Sequence, residues 1–118
     1  MKVLFLQYAK CGTCVKARKW LEENGIAYEN RSIIENRPTV EELKQWVEKS
    51  GLPLKKFFNT SGLVYKSLNL KEKLPSMSEE EQYTLLATDG KLVKRPIVVH
   101  KDLILVGFNQ GQWEKLKG

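Results

Sequence analysis

Residues 3–20 read VLFLQYAKCGTCVKARKW, and this stretch decides the fold. VLFLQY (3–8) is a short apolar run with the character of a buried strand. The next residues hold both cysteines of the chain, Cys11 and Cys14. From Cys14 onward, Cys14, Ala17 and Leu21 fall on one helical face with Trp20 beside them, and Asn24-Gly25 stops the helix. IAYENRSI (26–33) reads as a second strand. Strand, helix and strand within about thirty residues form a βαβ unit, whose crossover is right-handed by the general rule.

Beyond this unit the pattern turns helical. Thr39 and Glu42 form a capping box, Val40, Leu43 and Val47 make an apolar stripe, and Gly51 stops the helix. LKKFFNTSGLVYKSLNL (54–70) follows Pro53 and reads as one or two short helices broken near Gly62. Ser78 and Glu81 repeat the capping box, and Asp89-Gly90 ends that helix. Arg95-Pro96 then leads into IVVH (97–100), which returns through Lys101-Asp102 as LILV (103–106), a hairpin. Asn109 caps a closing helix in QGQWEKLKG (110–118). The order βαβ, helices, ββ, α describes one α/β domain over residues 1–118, with a helical insertion at about 38–92.

Bulk properties narrow the class. The chain has 118 residues, 42% apolar and 29% charged, which suits one globular domain with a real core. No apolar run spans a bilayer, and MKVLFLQYAKC lacks the apolar segment of a secretory signal. A cytoplasmic protein is expected. Its cysteines are then kept reduced, so a structural disulfide is disfavoured and a reactive or metal-binding role gains weight. The net charge of +6 comes from scattered bases without a block. That reads as a solvated basic surface rather than a nucleic-acid groove, and it suits an anionic substrate or an acidic partner. Trp20, Trp46 and Trp113 read as packing residues, His100 as exposed, and Lys55-Lys56 as a solvated face.

Three readings of the cysteine pair stand side by side: a redox pair, part of a metal site, or two incidental thiols. A zinc site needs four ligands or three and a water, and only His100 remains as a strong candidate. The strand–turn–helix setting favours the redox pair. The first turn of a helix carries unpaired N–H groups and the positive end of the helix dipole, so a thiolate there is stabilised. Cys11 is the exposed nucleophile and Cys14 can attack a mixed disulfide on it. Lys10 and Lys16 add positive charge, Gly12 permits close backbone approach, and Thr13 offers a hydroxyl. Pro96 is either an ordinary edge-strand proline or a cis-proline packed beside the cysteine turn.

The YAKCGTCVKARKWLEENG and VKRPIVVHKDLILVGFN segments together resemble the arsenate reductase/Spx family of thioredoxin-fold proteins. The resemblance covers nearly the whole chain. It implies a four-stranded mixed sheet with flanking helices and Cys11 as the reactive thiol. In the reductase branch, the cysteine attacks arsenate, glutathione completes the chemistry, and three arginines hold the oxyanion. Arg95, before Pro96, matches one of them. NTSGL (59–63) and GFNQGQ (107–112) carry no arginine for the other two, which counts against true arsenate reduction. The Spx branch uses C-x-x-C as a redox switch and binds the RNA polymerase α subunit. The chain stops at Gly118 without the basic tail of that branch. The resemblance thus implies a thiol–disulfide oxidoreductase, with a redox-sensing transcriptional regulator as the alternative. A relative whose chemistry has decayed is a third reading. No bound cofactor is expected; glutathione with glutaredoxin, or thioredoxin, is the implied electron donor. The implied partner is a small thiol, an oxyanion or a disulfide protein.

Overall fold

The computed structural model describes residues 2–117. β1 (Lys2–Gln7) leads into α1 (Gly12–Glu23), and β2 (Ala27–Ser32) returns parallel to β1. Gly25 ends α1 in the left-handed conformation (φ 66°). The Gly25 N–H donates to Glu22 O and the Ile26 N–H to Leu21 O, so two terminal carbonyls find partners. β3 (Ile97–His100) and β4 (Leu103–Val106) form the expected hairpin. The sheet order is β2-β1-β3-β4, with only β1 and β2 parallel.

Side chains alternate across this sheet with the period of two that strands impose. Val3 and Phe5 of β1, Val98 of β3 and Leu105 of β4 face one layer. There they meet Ala17, Trp20 and Leu21 of α1 and Trp113 near the chain end. Leu6, Ile97 and Ile104 face the other layer, which the helical middle of the chain covers. The fold is therefore an α/β sandwich of thioredoxin type, with one apolar layer on each face.

That middle comprises α2 (Val40–Ser50), α3 (Leu63–Ser67), α4 (Leu70–Lys73) and α5 (Glu79–Thr88). The two capping boxes form as the spacing predicts, Thr39 with Glu42 and Ser78 with Glu81. Residues 54–76 are more broken than expected. A 3-10 turn (Leu54–Phe57) precedes α3, and another (Leu74–Ser76) follows α4. The segment is held by a short antiparallel contact that sequence spacing does not reveal. Asn59 N–H donates to Leu92 O (2.7 Å) and Lys94 N–H to Phe57 O (2.7 Å), around a bridge between Phe58 and Val93.

The closing helix splits into α6 (Gln110–Trp113) and a 3-10 turn (Glu114–Lys117). Gly118, expected at its end, lies outside the described residues. His100, expected to be exposed, is half-buried, because β3 is an inner strand between β1 and β4. Among the described residues, no helix is long and apolar enough to cross a membrane.

Candidate active site

Cys11 stands at the junction of strand and helix. It is the N-cap of α1 in extended backbone (φ −91°, ψ 121°). Its N–H donates to the Tyr8 carbonyl (2.9 Å), and its own carbonyl accepts from the Val15 N–H (3.0 Å). Cys11 is half-buried, and Cys14, one turn further on, is fully buried. Both are free thiols. The Tyr8 N–H points at the Cys14 sulfur (3.5 Å).

The two thiols are chemically unequal. Burial works to raise the Cys11 thiol. The Cys14 backbone N–H, the Cys14 thiol and the Arg95 guanidinium all favour its thiolate and outweigh that penalty. Cys11 is thereby held below the ordinary thiol range. At Cys14 burial dominates, and the negative charge of Cys11 adds to it. The Tyr8 N–H and Arg95 offset only part, so Cys14 is pushed up to about 12. One thiol is thus the readier to ionise, and the other the readier to keep its proton.

Arg95 precedes β3 and is joined to Pro96 by a cis peptide bond. The Pro96 carbonyl accepts from the Gly107 N–H (2.8 Å), tying this step to the end of β4. Nε and Nη1 of Arg95 are buried, and among the described residues neither has a hydrogen-bond partner. Unsatisfied buried donors of a cation are costly and call for an anionic acceptor. The Arg95 guanidinium carbon lies over the Tyr8 ring, 5.1 Å from its centre.

These groups open onto a cleft of about 700 Å³. Cys11 and Thr13 line one side. Lys56, Asn59 and Gly62 come from the helical middle, and Phe108 and Gln112 from the chain end. Lys94 and Arg95 complete the wall. Three bases and, among the described residues, no carboxylate line the space, so its field favours anions.

Cys11, Thr13 and Arg95 therefore meet in one cleft, while Cys14 and Pro96 lie buried behind it. Lys10 does not join them. It is exposed in a separate groove beside Asn30 and Glu35. Lys16 is exposed on α1. A Cβ built on Gly12 meets nothing within 4 Å, so no close approach within the chain requires glycine there. Lys55 and Lys56 are both exposed, as expected, and Lys56 also lines the cleft. Sequence reasoning also missed Tyr8, Asn59 and Lys94. The one signal for Lys94 was its place beside Arg95; Asn59, a polar residue directly after Phe57-Phe58, gave a fainter one. Among the described residues, no three His, Cys, Asp or Glu side chains gather into a metal-holding group.

A thioredoxin-like sheet, a C-x-x-C turn opening its first helix and an arginine–proline step before its third strand together define a class of thiol-bearing proteins. Residues 6–116 match the ArsC family, and the chain belongs to it. It is 56% identical to the Bacillus subtilis protein YusI, described as uncharacterized, over 98% of each chain. It is 30% identical to the global transcriptional regulator Spx 2 of Bacillus cereus, over 96% of this chain and 85% of that one. Among solved structures, an ArsC family related protein of Bacteroides fragilis shares 66% identity, with a TM-score of 0.95 over 98% of each chain. The arsenate reductase of Vibrio cholerae shares 28% identity, with a TM-score of 0.84 over 99% of this chain and 97% of that one.

Proposed function

We propose that the protein is a cytoplasmic thiol–disulfide oxidoreductase, folded as one domain, with Cys11 as nucleophile and Cys14 as resolving thiol. The carrying observation is the unequal pair at the start of α1, with the low-pKa sulfur open to a basic cleft and the other buried one turn away. The Cys11 thiolate attacks a disulfide R–S–S–R′, forms Cys11–S–S–R and releases R′S⁻. Cys11 then carries no charge, which removes one of the causes holding the Cys14 proton. Cys14 loses that proton to solvent, attacks the Cys11 sulfur and releases RS⁻. The Cys11–Cys14 disulfide returns to two thiols by taking two electrons from a dithiol donor of the glutaredoxin or thioredoxin class, or from glutathione.

Arg95 orients the anion or thiolate in this cycle, Thr13 contacts the ligand, Pro96 shapes the wall, and Gly12 leaves the approach to Cys11 open. Lys10 contributes to the surrounding positive field from outside the cleft. Arsenate is a poor substrate in this reading. Lys56 and Lys94 stand where only one arginine offers a planar fork of donors, and lysine cannot replace that fork. Turnover of a small mixed disulfide by the wild type, Cys11→Ser and Cys14→Ser provides the test. Cys11→Ser is expected to be inactive, and Cys14→Ser to stall as a mixed disulfide. Full turnover by Cys11→Ser would overturn the proposal.

A second reading is favoured by the likeness to Spx 2 over nearly the whole chain. There the same disulfide serves as a switch that alters binding to the RNA polymerase α subunit. Equal or absent binding of that subunit by the reduced and oxidised protein would remove this reading.

A further inference from the structure

Tyr8 touches each member of the site without reaching the cleft. Its carbonyl receives the Cys11 N–H (2.9 Å), its N–H points at the Cys14 sulfur (3.5 Å), and its ring lies under Arg95 (5.1 Å). The first two are backbone contacts that any residue in extended conformation supplies. The third belongs to the side chain. The ring itself is half-buried against the apolar layer that covers Leu6 and Ile97.

We propose that the Tyr8 ring is a positioning element that holds the Arg95 guanidinium by a cation–π contact, which consumes none of its N–H donors and so keeps the guanidinium set to favour the Cys11 thiolate. A planar guanidinium has two kinds of surface. Its faces stack on aromatic rings, and its N–H groups lie in the plane and point outward. A carboxylate partner would anchor Arg95 just as firmly, but it would consume the Nε and Nη donors. The ring anchors the side chain and consumes none. That accounts for an otherwise unexplained pairing in this site: an arginine held in place, with Nε and Nη1 buried and unpartnered among the described residues. The direction of the Cys11 shift, to which Arg95 contributes, agrees with it. The inference rests on the reading of Cys11 as the reactive thiol.

The test is the pH dependence of Cys11 alkylation by iodoacetamide, read by peptide mass, in the wild type, Tyr8→Phe, Tyr8→Leu and Arg95→Gln, and in the Tyr8→Leu/Arg95→Gln double variant. Tyr8→Phe keeps the ring and is expected to follow the wild type. Tyr8→Leu is expected to move the profile toward higher pH and to slow alkylation at neutral pH about two- to tenfold. In the Arg95→Gln background, Tyr8→Leu is expected to change nothing further. An unshifted Tyr8→Leu, equal shifts in Tyr8→Phe and Tyr8→Leu, or a further loss in the double variant would each overturn the proposal while leaving Cys11 reactive. A wild-type Cys11 that titrates as an ordinary thiol would instead overturn the underlying reading as well. Should Tyr8→Leu fail to fold, the wild type answers by NMR. Arg95 Hδ protons shifted upfield by the ring current are expected, and unshifted protons would refute the contact.

Discussion

The backbone of Gly90 rests directly on the carbonyl of Ile33. A Cβ on Gly90 would overlap the Ile33 oxygen and stand 2.7 Å from its carbonyl carbon. The contact joins the exit of β2 to the turn after α5, two points far apart in sequence. Both sides are backbone and neither can rotate away. Gly90→Ala is expected to cost about 1–3 kcal/mol, as other overpacking substitutions do. Gly12→Ala is the contrast, because nothing stands near its Cβ. It is expected to stabilise the fold by about 0.4–1 kcal/mol through the unfolded chain. Urea midpoints measure both, and similar shifts of one sign would refute the distinction.

Glu42 is the second test. Its carboxylate accepts two bonds from Arg31 (2.7 and 2.9 Å) and one from the Thr39 N–H (3.0 Å). The Arg31 hydrogen bond, ahead of the others, holds the Glu42 carboxyl below its ordinary value. A lowered carboxyl contributes stability above its unfolded pKa, and that contribution fades as pH falls through the folded one. Glu42→Gln is therefore expected to cost about 1–3 kcal/mol at neutral pH and progressively less in acid. Urea titrations at several pH values decide it, and a pH-independent cost would count against the ion pair.

The buried thiol carries the opposite sign. Cys14 is raised from 9.0 to about 12, first by burial. In the unfolded chain the thiol ionises near its ordinary value. Stability from the protonated thiol is thus fully present below pH 9 and is lost as pH climbs toward about 12. The penalty of Cys14→Ala should shrink across that window. Alkaline denaturation curves of the two proteins that stay parallel would argue against it.

Trp113 closes the layer beneath the cleft wall. Its Nε1 donates to the Gly107 carbonyl (3.1 Å), and its ring meets Phe108 edge-on at 4.9 Å. Trp113→Phe leaves that buried carbonyl unpaired, at a cost of about 1–3 kcal/mol. The Gly107 N–H, bonded to Pro96, should then exchange faster with deuterium. Unchanged protection at Gly107 would show that the indole does not hold this turn.

Local chemistry was legible in the sequence. The capping boxes at Thr39 and Ser78, the stop at Gly25 and the apolar run of β1 each follow from residues a few positions apart, and each formed. The cysteine turn was legible for the same reason, since Cys11 and Cys14 share one helical turn. The cleft was not. Lys56 and Lys94 line one cleft because residues 57–59 pair with 92–94, a contact between distant segments with no periodic signature. The four- and five-residue helices between 54 and 76 are too short to show a helical stripe, so that region stayed ambiguous. Asp89-Gly90 was correctly read as a stop. The demand for glycine there comes instead from Ile33, which only tertiary packing reveals.

The cleft is walled by segments from four parts of the chain: the cysteine turn, the 56–62 stretch, Lys94-Arg95 and the tail around Phe108. Anything seated there acts as a strut between segments far apart in sequence. Occupancy therefore registers in the melting temperature, whatever the ligand's chemistry. At one hundred times its dissociation constant a ligand adds about 2.7 kcal/mol to the folded state. A thermal-shift screen of small anionic thiols and disulfides can thus rank candidate substrates before any turnover assay exists.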